Sequence, residues 1–249
     1  MDWQVAIPSF RRPETLQKKT LRLLRSAGIE CSRITVFLAD AEELERYKEY
    51  LIPEYSPALV VGKPGIHKQR EFIHSYYPEG TRLVCVDDDV SKIKMIMPGV
   101  SLPSAIERMF AIAEQERCRL IGIYPTDHGL SLKDRCVRGR YYVIGSFFLM
   151  INWHGSIYPH PTTEDFTRSL IAYTNDGAVL RFEGLGPTTR YFAEPGGLQT
   201  YRTPEIQERE MTELVNTWPE HLVPRYKNKA YSDVRFKKDC QKVIEAPFS

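Results

Sequence analysis

The sequence predicts an α/β fold, a mostly parallel and doubly wound sheet with helices on both faces, followed by a basic C-terminal segment. Three observations carry this. Short apolar runs alternate four times with helix-like stretches in the first ninety residues. The fourth run, Leu83-Val84-Cys85-Val86, shows no apolar–polar alternation, as expected of a strand covered on both faces. Strands separated by helices pair in parallel through crossovers, which wind the sheet.

Each element has its own signal. Gln4-Val5-Ala6-Ile7 is a first strand stopped by Pro8. Residues 13–27 carry Leu16, Leu21, Leu23 and Leu24 among cations, and Gly28 ends that helix. Residues 34–39 form a second strand closed by Asp40, with a charged helix over 41–51. Residues 58–61 are a third strand, and a helix over 65–76 opens on glycine. The fourth strand runs straight into Asp87-Asp88-Asp89. Beyond it we expect a helix over 103–117, a strand over 120–124, and a long apolar strand over 141–151 interrupted by Gly145. Thr163 is placed to cap a helix that begins Glu164-Asp165. A strand near 179–182 precedes a loop-rich stretch containing Pro195-Gly196-Gly197.

Composition removes several classes. Five cysteines, odd in number and without a C-x-x-C pair, exclude a disulfide framework and a conventional zinc knuckle. No apolar run approaches the ~18 residues that cross a bilayer. The first residues lack the basic and apolar regions of a signal peptide, so a cytoplasmic location is expected. The net charge of +2 conceals an asymmetry, because residues 225–242 hold seven cations against two acids.

The chemistry-bearing motifs sit at strand ends. Three consecutive carboxylates repel one another unless a cation neutralises them, and a hard divalent ion shared with diphosphate oxygens would do so. An acidic, water-exposed turn is the ordinary alternative for Asp87-Asp88-Asp89. Ser9, Arg11 and Arg12 follow the first strand beside a helix N-terminus, where a nucleotide diphosphate can be held. Asp40 ends the second strand and suits either a nucleoside hydroxyl or a helix cap. Gly65-Ile66-His67-Lys68-Gln69-Arg70 offers backbone approach and cations at a further strand exit. All four fall on one edge of the inferred sheet, where such folds bind ligands.

These residues resemble the GT-A glycosyltransferases, through V-A-I-P-S-F-R-R, G-x-x-x-Q-R and a D-D-D similar to that superfamily's D-x-D. P-G-I-x-x-Q-R, V-D-D-D-V, T-E-D-F and G-G-L-Q-T-Y-R are more narrowly similar to the TET-associated DNA glycosyltransferases of phages, related to the base J glucosyltransferase. The resemblance spans nearly the whole chain. It implies a Rossmann-like GT-A domain over 1–224, with a nucleotide-sugar half (1–100) and an acceptor half (101–224), and a basic segment over 225–249, extended or helical. It further implies a UDP-sugar donor, with Mn²⁺ or Mg²⁺ held by Asp89 and Asp87. Ser9, Arg11, Arg12, Asp40, Gly65, Arg70, Asp87 and Asp88 would surround the nucleotide. The superfamily often adds a C-terminal histidine to the metal, but His221 reads as a surface residue.

On the acceptor side, Asp165 matches the position of a catalytic base, with Glu164 as substitute. Two acids after a capping threonine also suit a helix dipole without any catalysis. Gly196, Gly197, Gln199 and Arg202 read as a close-approach loop for sugar or base, or as an ordinary turn. Trp153 and the aromatic run over 141–148 read as core. Arg235, Lys237 and Lys238, interleaved with aromatic residues, suit DNA phosphates. The expected activity is hexose transfer, glucose foremost, from a UDP-sugar to the hydroxymethyl group of a modified pyrimidine in DNA. A glycan or protein acceptor is the enzymatic alternative, and a non-catalytic nucleotide- or DNA-binding module the alternative of another class.

Overall fold

The computed structural model describes residues 2–189, 202–227 and 231–248. Among them, nine strands form one sheet, in the spatial order Lys242–Glu245, Arg135–Gly139, Val179–Phe182, Leu120–Ile123, Phe147–Ile151, Arg82–Val86, Gln4–Pro8, Ile34–Leu38 and Ala58–Val61. The first half follows the sequence expectation closely. β1 (Gln4–Pro8), β2 (Ile34–Leu38), β3 (Ala58–Val61) and β4 (Arg82–Val86) are all parallel. The side chains of β1, β2 and β4 alternate between two buried layers, which removes the need for polar alternation, whereas β3, at the sheet edge, is half-exposed. Val5, Ile7, Val84 and Val86 pack in one apolar cluster, Ala6, Leu83 and Cys85 in the other.

The first cluster also takes residues from α1 (Pro13–Leu16), α2 (Arg22–Ser26), α3 (Ala41–Tyr50) and α5 (Leu102–Glu116). The second takes residues from α4 (Ile66–Tyr76) and α6 (Glu164–Asp176), so the sheet is covered on both faces. A π turn over Gln17–Leu21 joins α1 to α2. It keeps Leu16, Leu21 and Leu24 buried and turns Thr20 toward the end of β4.

The second half departs from the expectation in two places. The long strand expected over 141–151 is only β8 (Phe147–Ile151), which inserts antiparallel between β4 and β6 (Leu120–Ile123). Residues 141–146 leave the sheet instead and pass over the N-terminus of α6, where the Val143 amide donates to Ser169 Oγ at 3.0 Å. β7 (Arg135–Gly139) is antiparallel beside β9 (Val179–Phe182), and β5 (Lys92–Met95) pairs with β10 (Leu185–Thr188) in a separate ribbon.

The basic segment, expected to be extended or helical, is extended, and its strands are paired. β11 (Leu222–Lys227) and β12 (Tyr231–Phe236) form an antiparallel pair, and β13 (Lys242–Glu245) joins the main sheet beside β7. Residue 225 therefore falls inside a strand. Leu222 and Val234 pack with Leu170 of α6 and with Met211 and Leu214 of α7 (Pro204–Thr217) in a third apolar cluster. Two apolar faces meeting another helix fix the pair more firmly than its own hydrogen bonds would.

Candidate active site

β1 and β4 are parallel neighbours, and the chain order reverses between them, with β2 and β3 on one flank and β8 on the other. This is the switch point where the loops leaving two strands diverge and open a crevice. The β1 loop supplies Ser9, Arg11 and Arg12, and the β4 loop supplies Asp87, Asp88 and Asp89.

The two loops are bonded to each other. Ser9 Oγ donates to Asp88 Oδ2 at 2.6 Å and lies 2.6 Å from the Tyr47 hydroxyl. The Arg12 guanidinium lies 3.3 Å from Asp88 Oδ1 and 3.5 Å from Asp89 Oδ2. Arg11 adopts φ +57°, a left-handed conformation costly for a residue with a side chain, and its amide is fixed by Glu43 Oε2 at 2.6 Å. Thr20 braces the acidic loop at both ends. Its hydroxyl donates to the Asp87 carbonyl at 2.7 Å and accepts from the Val90 amide at 3.1 Å. A π turn that aims one side chain into a site is a recurrent use of that distortion.

Asp88 has both oxygens engaged and is buried, so it orders the loop. Its carboxyl is pushed up to about 6 by burial, against the pull of Arg12 and Ser9. Asp87 is pushed up to about 7, first by burial and then by Asp89, Asp88 and Glu164, with Arg70 opposing. Even so, 35% of the Asp87 side chain faces the crevice. Asp89 accepts from Thr189 Oγ1 at 3.2 Å.

Asp87 and Asp89 are thus the carboxylates that could hold a metal. Among the described residues no group of three or more His, Cys, Asp or Glu side chains forms a ready-made metal site. Two carboxylates completed by diphosphate oxygens and water are what Mg²⁺ and Mn²⁺ accept, and the crowding of three acids favours a cation there, so the residues fit such an ion. His221 lies elsewhere, edge-on to Tyr173 at 5.4 Å, in the packing around the C-terminal strands.

The remaining donor-side residues occupy the same edge. Asp40 caps α3 by accepting from the Glu43 amide at 2.9 Å, and is itself exposed. Gly65 begins α4 at φ +84°, which favours glycine. Arg70, with only 2% of its side chain exposed, donates to Asp87 Oδ1 at 2.9 Å and to the Gly145 carbonyl at 3.0 Å.

Arg70 also joins the two halves, because its Nε lies 3.9 Å from Glu164 Oε1. Glu164 is buried and paired at 2.7 Å with the fully buried Arg168, four residues on. That pairing ties its charge down. Asp165 is held differently. Tyr142 donates its hydroxyl to Asp165 Oδ2, and the Phe166 amide donates to Oδ1 at 2.9 Å. Burial and the Glu164 charge push Asp165 up to about 6, against Arg168 and these two hydrogen bonds. A Cβ on Gly145 would stand 3.3 Å from Glu164 Oε1, tighter than an ordinary contact, so glycine eases the backbone past that carboxylate, while Asp165 Oδ2 would be at an ordinary 3.7 Å.

Thr163 occupies the N-cap position of α6 as expected, but its hydroxyl makes no capping bond. The aromatic run read as core is core at Phe147 and Phe148, whereas Tyr142 belongs to the site. Tyr142, Arg168, Thr20, Tyr47 and Glu43 were not singled out from sequence. Only Arg168 left a trace, as a cation four residues after an acid on a helix. Arg202 lies just ahead of α7, while Gly196, Gly197 and Gln199 fall outside the described residues. Arg235 is exposed on β12, and Lys237 and Lys238 follow it, away from the acidic loop in sequence.

No family model and no curated protein matches the chain. Solved structures do. The crystal structure of Mycobacterium tuberculosis glucosyl-3-phosphoglycerate synthase aligns with a TM-score of 0.53 at 9% identity, over 90% of this chain and 84% of that one. The same enzyme in complex with Mn²⁺, UDP-glucose and phosphoglyceric acid aligns at 0.52 and 10% identity, over 96% and 88%. A looser likeness, TM-score 0.45 at 12% identity, is to S. aureus TarS 1-349, over 87% of this chain and 66% of that one. The chain therefore has the GT-A fold, the architecture of nucleotide-diphospho-sugar glycosyltransferases.

Proposed function

We propose that this chain is a divalent-metal-dependent glycosyltransferase. It takes a hexose, glucose foremost, from a UDP-sugar and adds it to the hydroxymethyl group of a modified pyrimidine in DNA. The observation that carries the transferase reading is Arg70, which bonds Asp87 at 2.9 Å and lies 3.9 Å from Glu164. A diphosphate-handling loop and a carboxylate suited to proton removal thereby share one site.

Each residue then has a task. Ser9 and Arg12 order the acidic loop, and Arg11 and Arg12 offer cations to the diphosphate. Asp87 and Asp89 would hold Mn²⁺ or Mg²⁺, which when bound stabilises charge on the leaving UDP. Asp165 removes the acceptor hydroxyl proton while that oxygen forms its bond to the anomeric carbon. The bond from that carbon to the phosphate oxygen breaks, and its electron pair leaves with UDP. Asp165 keeps the proton until water takes it. This single displacement inverts the anomeric centre. Glu164 is the poorer candidate because its Oε2 is already occupied by Arg168 at 2.7 Å.

The DNA acceptor rests on the family resemblance and on the exposed cations at Arg235 and Lys238, with Lys237 between. A base within a duplex would have to be flipped out to reach Asp165. The test is incubation with hydroxymethylated DNA, Mn²⁺ and a panel of nucleotide sugars, followed by mass spectrometry of the nucleosides. A hexosyl-pyrimidine product is expected with UDP-glucose, reduced at least ~10²-fold in Asp165→Asn. Transfer to glycan or protein but not DNA would reassign the acceptor. Undiminished transfer by Asp165→Asn would refute the base.

A further inference from the structure

We propose that Tyr142 is the positioning residue for Asp165, holding its carboxylate in one orientation and setting how readily it takes up a proton. The inference rests on the reading of Asp165 as the base and deepens it.

The geometry is a chain of supports. The Tyr142 hydroxyl donates to Asp165 Oδ2 while the Phe166 amide occupies Oδ1, so each carboxylate oxygen has its own donor and rotation about the Cβ–Cγ bond is opposed. The phenol is itself held, because its ring packs on Phe166 with centroids 4.4 Å apart. Phe166 in turn stacks on Phe236 of β12 at 6.0 Å and 18°. The carboxylate's orientation thus depends on packing that reaches the C-terminal strands. Each oxygen keeps a second lone-pair direction for an incoming hydroxyl.

Tyr142 does not act as a second base. Burial first, and then the Asp165 charge, raise its phenol well above the ordinary tyrosine value, so it stays a donor at working pH. A donor to a carboxylate favours the ionised form. Among the groups facing Asp165, Glu164 raises its proton affinity, whereas Arg168 and the Tyr142 and Phe166 bonds lower it. Arg70, from α4, faces Glu164 on the far side. Tyr142 is the neutral member of this set, so its hydroxyl can be removed without changing the net charge.

The experiment follows the Asp165 carboxyl carbon by NMR in ¹³C-aspartate-labelled full-length protein, with Asp165→Asn identifying the resonance. In Tyr142→Phe the titration midpoint should move up by about one pH unit. The acid limb of kcat/KM, measured with UDP-glucose, Mn²⁺ and hydroxymethylated DNA, should move with it. The plateau should fall with the lost orientation, and activity below the limb should fall about tenfold further. An unmoved midpoint, or a uniform loss at every pH, overturns the inference. Should Tyr142→Phe fail to fold, 3-fluorotyrosine at position 142 keeps the ring packing and strengthens the donor. Midpoint and limb must then move down, and a static midpoint overturns the proposal. Undiminished transfer by Asp165→Asn overturns the base reading and this inference with it, whereas an unmoved midpoint overturns the inference alone.

Discussion

Replacing Arg70 with methionine tests whether one buried charge holds both halves of the crevice. The substitution keeps much of the side-chain volume but removes the donor to Asp87 at 2.9 Å and to the Gly145 carbonyl at 3.0 Å. It also removes a cation from the Phe148 ring, 5.0 Å away. Taking one partner from a buried ion pair costs about 3–5 kcal/mol, because the other charge stays buried and unpaired. Here 35% of the Asp87 side chain faces the crevice, and water recovers part of the loss. Asp87, pushed up to about 7 even beside Arg70, also takes up a proton once the guanidinium is gone, so the expected cost falls below that range, at about 2 kcal/mol, still a large fraction of the ~5–15 kcal/mol that holds a typical domain together. Urea unfolding at pH 7, followed through Trp3 and Trp153, both buried, should show a lower midpoint at unchanged slope. A cycle with Asp87→Asn should give a coupling of about 1–2 kcal/mol. Destabilisation below about 1 kcal/mol, or coupling within about 0.5 kcal/mol of zero, would refute the linkage.

Two further outcomes follow from charge. Asp165 is pushed up to about 6, so kcat/KM should rise about tenfold per pH unit below that value and level off above it. The same raised carboxyl opposes folding once ionised, so Asp165→Asn should be stabilised at pH 8 and not at pH 4, as pH-dependent unfolding will show. With Arg235, Lys237 and Lys238 each taking one phosphate, log KM for DNA against log salt should have a slope of about 3, reduced by about two in the Lys237→Gln/Lys238→Gln variant. A flat salt response would remove these cations from acceptor binding.

The parallel half of the fold was legible because β1 to β4 are short and apolar, and Pro8, Asp40, Gly62 and Asp87 stand at or within two residues of their ends. The same punctuation marked the donor edge, since a ligand crevice lies where strands stop. The antiparallel half was less legible. Tyr141 to Ile151 looks like one strand in hydrophobicity, but residues 141–146 run outside the sheet, Gly145 passing close to Glu164, and only β8 remains. Tyr142 was hidden for the same reason, since a hydroxyl's target 23 residues away leaves no local periodicity. Thr20 reaches the acidic loop through a π turn that spacing rules do not anticipate. The pairing of the basic segment was hidden because its cations mask the apolar Leu222, Val234 and Phe236 that pack on α6 and α7. Part of its charge is also structural. Lys242 pairs with Glu116 at 2.5 Å, and Arg225 stands across from Asp233.

The last prediction concerns how donor and metal arrive. Asp87, Asp88, Asp89, Glu164 and Asp165 meet the guanidiniums of Arg12, Arg70 and Arg168, which leaves an excess of acid. A nucleotide diphosphate is an anion and would be repelled by the exposed part of that set, since neither Asp87 nor Asp89 is fully covered. Two side-chain carboxylates are in turn a weak site for a hydrated Mg²⁺ or Mn²⁺, which keeps its water unless further oxygens replace it. Each ligand therefore supplies what the other needs, and binding should be strongly synergistic. In calorimetry, UDP alone and Mn²⁺ alone should bind weakly, whereas either added in the presence of the other should bind at least about tenfold more tightly, a coupling of ~1.4 kcal/mol. Asp89→Asn keeps its shape and its bond from Thr189, so the fold should survive while the synergy disappears. UDP binding that is equally tight with and without Mn²⁺, or synergy that persists in Asp89→Asn, would show that the acidic loop does not hold the metal.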